Sequence, residues 1–330
     1  MDNPTISGDE NMKRKTKIIT LILILALTIP VTVVIAWQYL IEPENTPSAP
    51  LSITDDYGRN VTITEYPERI VSLAPTCTYI IFGLNLENKL VGVDSFEYYP
   101  PEIKETINER SITTVGEYAY ISSEAILALE PDLVIAAMRT QAPIIENLGA
   151  VGVTALLLDP RSFADVLADI SLIGEATGQT EEAATFVASI QERAQIVADK
   201  TQDVPKPRVY VEYSFNGAYQ TFGSGSFMDE LVAKAGGINV FTNSSNPYIG
   251  VSSEEVIICN PEVIIISKGS MSEACGLSPE TIINRPGWNE ITAVKNNQIY
   301  EIDENTLMPH PAMINGLESM AKLMHPELFE

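Results

Sequence analysis

Apolar and polar positions follow three successive rhythms along the chain, and each predicts a different kind of element. Residues 18–41 (IITLILILALTIPVTVVIAWQYLI) are almost unbroken apolar sequence without a charge, long enough for a helix to cross a bilayer core of about 30 Å. Lys13, Arg14, Lys15 and Lys17 precede the run, and Glu42 and Glu44 follow it. Cations stay on the cytoplasmic side, so the bulk of the chain is expected outside the membrane. A cleaved signal peptide is the competing reading, but Trp37, Gln38 and Tyr39 suit an interfacial anchor better than a small-residue cleavage site. No cysteine directly follows the run to carry a lipid. Pro30 would kink such a helix without preventing it from spanning. The expectation is a cytoplasmic N-terminus (1–17), a transmembrane anchor (18–41) and an extended polar linker (42–50, EPENTPSAP).

The second rhythm starts at residue 51. LSITDDYGRNVTI (51–63) reads as a hairpin, with Asp56, Tyr57 and Gly58 supplying the turn. Short apolar runs at 70–74, 90–93, 133–136 and 154–158 then alternate with amphipathic helical stretches, which predicts a parallel α/β lobe over 51–160. The third rhythm is helical. Residues 161–203 carry apolar positions at a helical period with a break at Gly178, and 181–200 (EEAATFVASIQERAQIVADK) is rich in good helix formers. Pro205 and Pro207 stop it. Strand patterns resume at 208–212, 262–267 and 298–302, and a last amphipathic helix spans 311–324, which predicts a second lobe over 204–330. The fold class is therefore α/β, with two lobes joined by one long rigid helix.

Length agrees with that division, because 330 residues exceed what one hydrophobic core usually covers. The formal net charge is −24, from 44 acidic and 20 basic residues. Such a surface repels phosphate backbones, so nucleic acid is not an expected partner. Cys77, Cys259 and Cys275 are too few and too scattered for a disulfide framework, although a Cys259–Cys275 bridge stays open. With two histidines, His310 and His325, a metal site built from thiolates and imidazoles is not expected.

The two lobes share a segment. Residues 121–136 read ISSEAILALEPDLVIA and residues 251–266 read VSSEEVIICNPEVIII, at a constant offset. Ser122 matches Ser252, Ser123 matches Ser253, Glu124 matches Glu254 and Pro131 matches Pro261. In each copy a serine can cap a short helix, a proline ends it and a buried strand follows. Glu124 and Glu254 should occupy equivalent places on their own lobes. A carboxylate near a helix N-terminus is favoured locally by the dipole. Two equivalent surface carboxylates also form a two-point plug for a roughly symmetric partner carrying cations.

With these residues the chain resembles the helical-backbone periplasmic-binding-protein family of ABC importers for cobalamin, ferric siderophores and haem. The matching pieces are PERIVSLAP (67–75), KLVGVDSFEYYPPE (89–102), VGEYAYISSEAILALEPDLVIA (115–136), VSSEEVIICNPEVII (251–265), RPGWNEITAVKNNQIYEID (285–303) and GLESMAKLMHPE (316–327). The resemblance implies two Rossmann-like lobes with a ligand held in the cleft between them. It also implies that Glu124 and Glu254 dock to arginines of a permease dimer served by ATPase subunits, with the binding protein acting as a monomer. Loops leaving the strands toward the cleft supply the expected ligand contacts. Tyr79, Tyr98, Tyr118, Arg139, Tyr213, Tyr248 and His310 are the candidates, since aromatic rings suit a large flat chelate.

Two departures from the family pattern bear on the cargo. A Thr-Glu pair of many relatives is Thr78-Tyr79 here, and an Arg-Pro-Gly-Pro-Arg stretch is Met308-Pro309-His310-Pro311-Ala312. Both arginines that could hold an anionic chelate are gone, leaving Arg139 as the main candidate cation. A corrinoid is therefore expected ahead of a ferric siderophore, with haem third. An enzyme, such as a chelatase-like relative, is disfavoured because no nucleophile–base pair, phosphate loop or metal cluster appears, and no cofactor is expected. A membrane-anchored sensor is the other alternative, but the 17 residues before the apolar run are too few for a signalling domain.

Overall fold

The computed structural model describes residues 46–95, 100–117, 120–215 and 218–329. The chain divides into two units, Met1–Ala49 and Pro50–Glu330. The expected anchor at 18–41 lies outside the described residues, among which no helix is long and apolar enough to cross a membrane.

The hairpin forms as expected, with β1 (Leu51–Thr54) antiparallel to β2 (Asn60–Ile63). Its turn is organised by Asp55, a buried carboxylate that accepts the backbone N–H groups of Tyr57, Arg59 and Leu157 and pairs with the Arg59 guanidinium. The bond from Leu157 fastens the hairpin to the first lobe. That lobe alternates β3 (Ile70–Ser72), α1 (Pro75–Gly83), β4 (Leu90–Val93), α2 (Pro101–Glu109), β5 (Thr113–Thr114), a small hairpin of β6 (Gly116–Glu117) and β7 (Tyr120–Ile121), α3 (Ser123–Leu127), β8 (Leu133–Ala137), α4 (Ala142–Ala150) and β9 (Ala155–Leu158). Its sheet runs β5-β4-β3-β8-β9 with every pairing parallel.

Two helices follow. Ser162 caps α5 (Phe163–Thr177), and Gly178 ends it in the left-handed region at φ 76°, the break anticipated at that residue. The connecting helix α6 (Thr180–Thr201) has 22 residues, about 33 Å at 1.5 Å per residue. Its buried Ala183, Ile190 and Val197 recur every seventh position and make one apolar stripe.

The second lobe comprises β10 (Arg208–Phe215), β11 (Tyr219–Phe222), α7 (Phe227–Lys234), β12 (Ile238–Asn239), β13 (Tyr248–Val251), α8 (Ser253–Cys259), β14 (Val263–Lys268), α9 (Ser270–Ala274), α10 (Pro279–Ile283), α11 (Thr292–Lys295), β15 (Ile299–Asp303) and α12 (Met313–Met324). Its main order is β13-β11-β10-β14-β15. β14 is parallel to both β10 and β15, whereas β11 is antiparallel to β10 and to β13. Hydrophobic patterning did not anticipate β11 and β13, four residues each, and pairing with β11 carries β10 to Phe215, past its expected end at residue 212.

Strand residues alternate between two cores. Ile70, Leu133, Ile135, Val209, Val263 and Ile265 face a continuous apolar layer made with α5, α6 and α12. That layer reaches from one sheet to the other, and the apolar stripe of the connecting helix packs into it. Val71, Val134 and Ala136 face outward onto Ile126 of α3, and Ile264 and Ile266 face Val256 of α8. Ile126 and Val256 hold corresponding positions in the repeat, and burying each contributes about 1.5–3 kcal/mol. None of the three cysteines is in a disulfide, so the bridge left open between Cys259 and Cys275 is not formed.

Candidate functional site

The C-terminal end of β8 departs from regular backbone. Met138 has φ 141° and ψ 143°, a region where a side chain is strained by roughly 1–3 kcal/mol and which recurs at functional turns. Gln141 holds this turn. Its Oε1 accepts the Ala137 N–H at 3.1 Å, and its Nε2 donates to the Leu73 carbonyl at 2.7 Å, joining the ends of β8 and β3. Arg139, next in the turn, is exposed and places its guanidinium 5.5 Å from the Tyr57 ring centroid. Sequence reasoning marked Arg139 but missed Gln141, whose role depends on a partner 68 positions away.

Tyr79 and His310 meet. Tyr79, half-buried on α1, has its ring 4.6 Å edge-on from His310 and 6.4 Å from Phe186 of α6. His310 is only 6% exposed, so it is neither a solvated bystander nor an open ligand. Its Nδ1 accepts the Ala312 N–H at 3.0 Å, which places the proton on Nε2, and the Pro75 backbone carbonyl is the partner that opposes the fall in its pKa. Burial nevertheless drives that pKa down to about 3, so the ring is neutral. A segment of the second lobe thus ties onto the first turn of α1 in the first lobe.

On the second sheet Tyr213 packs against Phe222 at 4.7 Å, and Phe222 packs against Tyr248 at 5.9 Å. Burial is the main cause of the raised Tyr213 pKa, with Tyr248 adding to it. Tyr248 remains 61% exposed. Phe222, unmarked in the sequence, is the ring that brings the two marked tyrosines into one cluster. Tyr98 and Tyr118 lie outside the described residues.

The repeat carries a common frame of hydrogen bonds in both lobes. Ser122 Oγ accepts the Ala125 N–H and Ser252 Oγ accepts the Glu255 N–H, at 3.1 and 3.2 Å. Both helices are followed by a left-handed residue, Glu130 at φ 46° and Asn260 at φ 41°, immediately before Pro131 and Pro261. An arginine at the start of the neighbouring strand reaches back toward each helix end, Arg69, just before β3, to the Leu129 carbonyl and Arg208, first in β10, to the Cys259 carbonyl. Asp132 and Glu262 accept backbone N–H groups from those same arginines, both at 2.9 Å. Glu124 and Glu254 are exposed at corresponding points of this frame. Glu124 has a lowered pKa, first through its own backbone N–H and then through the Ser122 hydroxyl.

Beneath α8 lies a buried ion pair that sequence reading missed. Arg285 donates to both Glu212 oxygens at 2.7 and 2.8 Å, and Tyr210 donates to the same carboxylate at 2.9 Å. Glu212 is fully buried and the Arg285 side chain is 12% exposed. The guanidinium is sandwiched near Tyr219 and Trp288, 4.0 and 4.5 Å from their centroids. The pair's signal in the chain is the RPGW run at 285–288, part of a piece that carries the family resemblance. Among the described residues no cluster of His, Cys, Asp and Glu could hold a metal ion.

Comparison with known proteins places this architecture. A family model described as periplasmic binding protein matches residues 70–306. An uncharacterized ABC transporter substrate-binding lipoprotein of Bacillus subtilis, YvrC, is 30% identical over 289 residues, covering 85% of this chain and 87% of that one. A cobalamin-binding protein of Halobacterium salinarum is 25% identical over 286 residues, 84% of this chain and 75% of its own. A solved structure from Saccharomonospora viridis, described as an ABC-type Fe3+-hydroxamate transport system, superposes with a TM-score of 0.66 at 26% identity, covering 83% of this chain and 98% of that one.

Proposed function

The chain belongs to the periplasmic binding protein family, and we propose that it is the extracytoplasmic solute-binding protein of an ABC importer, capturing a metal chelate between its lobes and docking to the permease through Glu124 and Glu254. The observation that carries this reading is the duplicated frame of α3 and α8. Two exposed carboxylates stand at matching positions on two short helices, each packed on one of the two sheets that share one core. Such an arrangement suits a dimeric permease offering an arginine to each lobe, and charge complementarity would set orientation and encounter rate. The apolar stripe of α6, packed into the core that both sheets share, supports a cleft that changes little in width on binding.

For the ligand surface we propose Tyr79, Tyr98, Tyr118, Arg139, Tyr213 and Tyr248. His310, buried behind Tyr79, would act on the ligand only by supporting that ring and not by coordinating a metal. A corrinoid stands ahead of a ferric siderophore. Its support is the loss of the two family arginines, the exposed aromatic Tyr248, and relatives named as cobalamin-binding or vitamin B12-binding proteins. We further propose that 18–41 anchors the chain as a single-pass protein, an attachment that parallels the lipoprotein character of YvrC. Calorimetric titration of the protein with cyanocobalamin, ferric hydroxamates, ferric catecholates and haem tests the reading. Tight 1:1 binding of cyanocobalamin is expected. Tight binding of a catecholate with none of the corrinoid would reverse the order, and no binding across the panel would remove the chelate assignment.

A further inference from the structure

The RPGW run at 285–288 sits directly under α8. Trp288, fully buried, donates its indole Nε1–H to the Ser253 hydroxyl at 2.7 Å. Ser253 is the first residue of α8 and immediately precedes Glu254. Gly287 has φ 82°, and a Cβ there would stand 3.1 Å from Ile257 Cδ1, so a side chain would be strained in backbone and crowded against the underside of the same helix. The indole is in turn held from the other side. Arg285 lies against its face at 4.5 Å and is fixed by two hydrogen bonds to Glu212, while Tyr210 and Tyr219 meet the ring edge-on at 6.0 and 5.4 Å. The far end of α8 is held by the same segment, since the Thr292 N–H donates to Asn260 Oδ1 at 2.8 Å and the Ala293 N–H to the Pro261 carbonyl at 3.0 Å.

We propose that Trp288 is a positioning residue for the docking carboxylate Glu254: fixed by Arg285, it clamps the first turn of α8 so that the carboxylate meets the permease pre-ordered. This rests on the docking reading above. A side chain on a seven-residue helix loses considerable freedom on binding, and that cost falls when the helix is already fixed. Glu212 belongs to β10, one residue before Tyr213 of the aromatic cluster, so the clamp starts from the strand that carries a proposed ligand contact.

The test uses the full-length chain in lipid nanodiscs with Trp288→Phe, which keeps an aromatic ring but removes the indole N–H together with part of its bulk, and Ser253→Ala, which removes the acceptor alone and leaves the indole packing in place. Amide hydrogen exchange over 253–259 is expected to rise about five- to tenfold in each variant, the equilibrium equivalent of one lost hydrogen bond. Exchange over 123–127 should not change. Affinity for the permease complex should fall toward that of Glu254→Ala, and Trp288→Phe added to Glu254→Ala should weaken binding no further. Unchanged exchange over 253–259 in both variants overturns the clamp. Raised exchange with undiminished permease affinity, where Glu254→Ala does weaken it, reduces Trp288 to a purely structural residue and overturns the proposal. If Glu254→Ala leaves affinity intact, the docking reading fails and takes the positioning role with it, and the exchange arm shows that the clamp itself exists.

Discussion

The two lobes present the same short helix in two different settings. In the first lobe α3 has five residues, a single serine cap and an arginine reaching its C-terminal carbonyls. In the second, α8 has seven residues and a reciprocal capping box, in which Glu255 also accepts the Ser252 N–H at 2.8 Å. The segment from Arg285 to Ala293 then holds both ends of α8. Local chemistry is therefore duplicated while tertiary support is not. The lesson is that a repeat can copy a site without copying its stiffness, because stiffness comes from partners outside the repeated stretch.

The lobes also bury carboxylates by different means. The second lobe pairs its buried carboxylate, Glu212, with the Arg285 guanidinium at 2.7 Å. The first buries Asp169 of α5 beside Asp56, with Asp159, Asp165 and Cys77 facing it, and desolvation followed by the Asp56 charge raises its pKa to about 9. A carboxyl in that setting is protonated at neutral pH.

The sharpest test of the comparison is transport itself. Replacing Glu124 and Glu254 together with alanine should abolish uptake and leave ligand affinity intact. Each single change should weaken permease binding by about 2 kcal/mol or more, roughly thirtyfold, with Glu254→Ala the larger if α8 is the better-ordered partner. Unchanged uptake in the double variant would break the docking reading. Next in size, Arg285→Leu strands a buried charge and should cost about 3–5 kcal/mol in urea unfolding. Arg69→Leu in the first lobe, which removes hydrogen bonds to exposed carbonyls, should cost about 1 kcal/mol. Equal costs would mean that the ion pair adds nothing peculiar to the second lobe.

A third prediction concerns pH. The unfolded Asp169 carboxyl titrates near about 3.9, and its folded value is raised to about 9. The folded state therefore binds the extra proton between these values, so this stabilising contribution is complete below pH 4 and is lost as pH rises toward 9. Asp169→Asn should flatten that decline in thermal melts from pH 5 to 9, while a Glu212→Gln variant should not. The smallest effect expected is at the caps. Ser122→Ala and Ser252→Ala should each cost about 1 kcal/mol, and hydrogen exchange should show α3 fraying more than α8, whose other supports remain.

Much of this architecture was legible in the chain because it is written in short-range code. Short apolar runs marked the parallel strands of both sheets, Gly178 marked the break between the two long helices, and serine, proline and a constant offset marked α3 and α8. These signals work because backbone sterics, caps and turns act within a few residues. The last helix shows the limit of that code, since it begins at Met313 and not at residue 311, where the His310 imidazole takes the Ala312 N–H. The marked residues found company in the same way. Tyr79 met His310 from the other lobe, and Tyr213 reached Tyr248 through an unmarked Phe222. Trp288 found Ser253 across 35 residues and Arg285 found Glu212 across 73. Sequence alone determined the α/β fold class, the connecting helix and the paired glutamates, because local preference and hydrophobic period suffice for each. Only the tertiary structure decided that His310 is a buried tie, that Arg285 is spent inside the second lobe and that one docking helix is clamped, because burial and long-range pairing depend on which distant elements the shared core brings together.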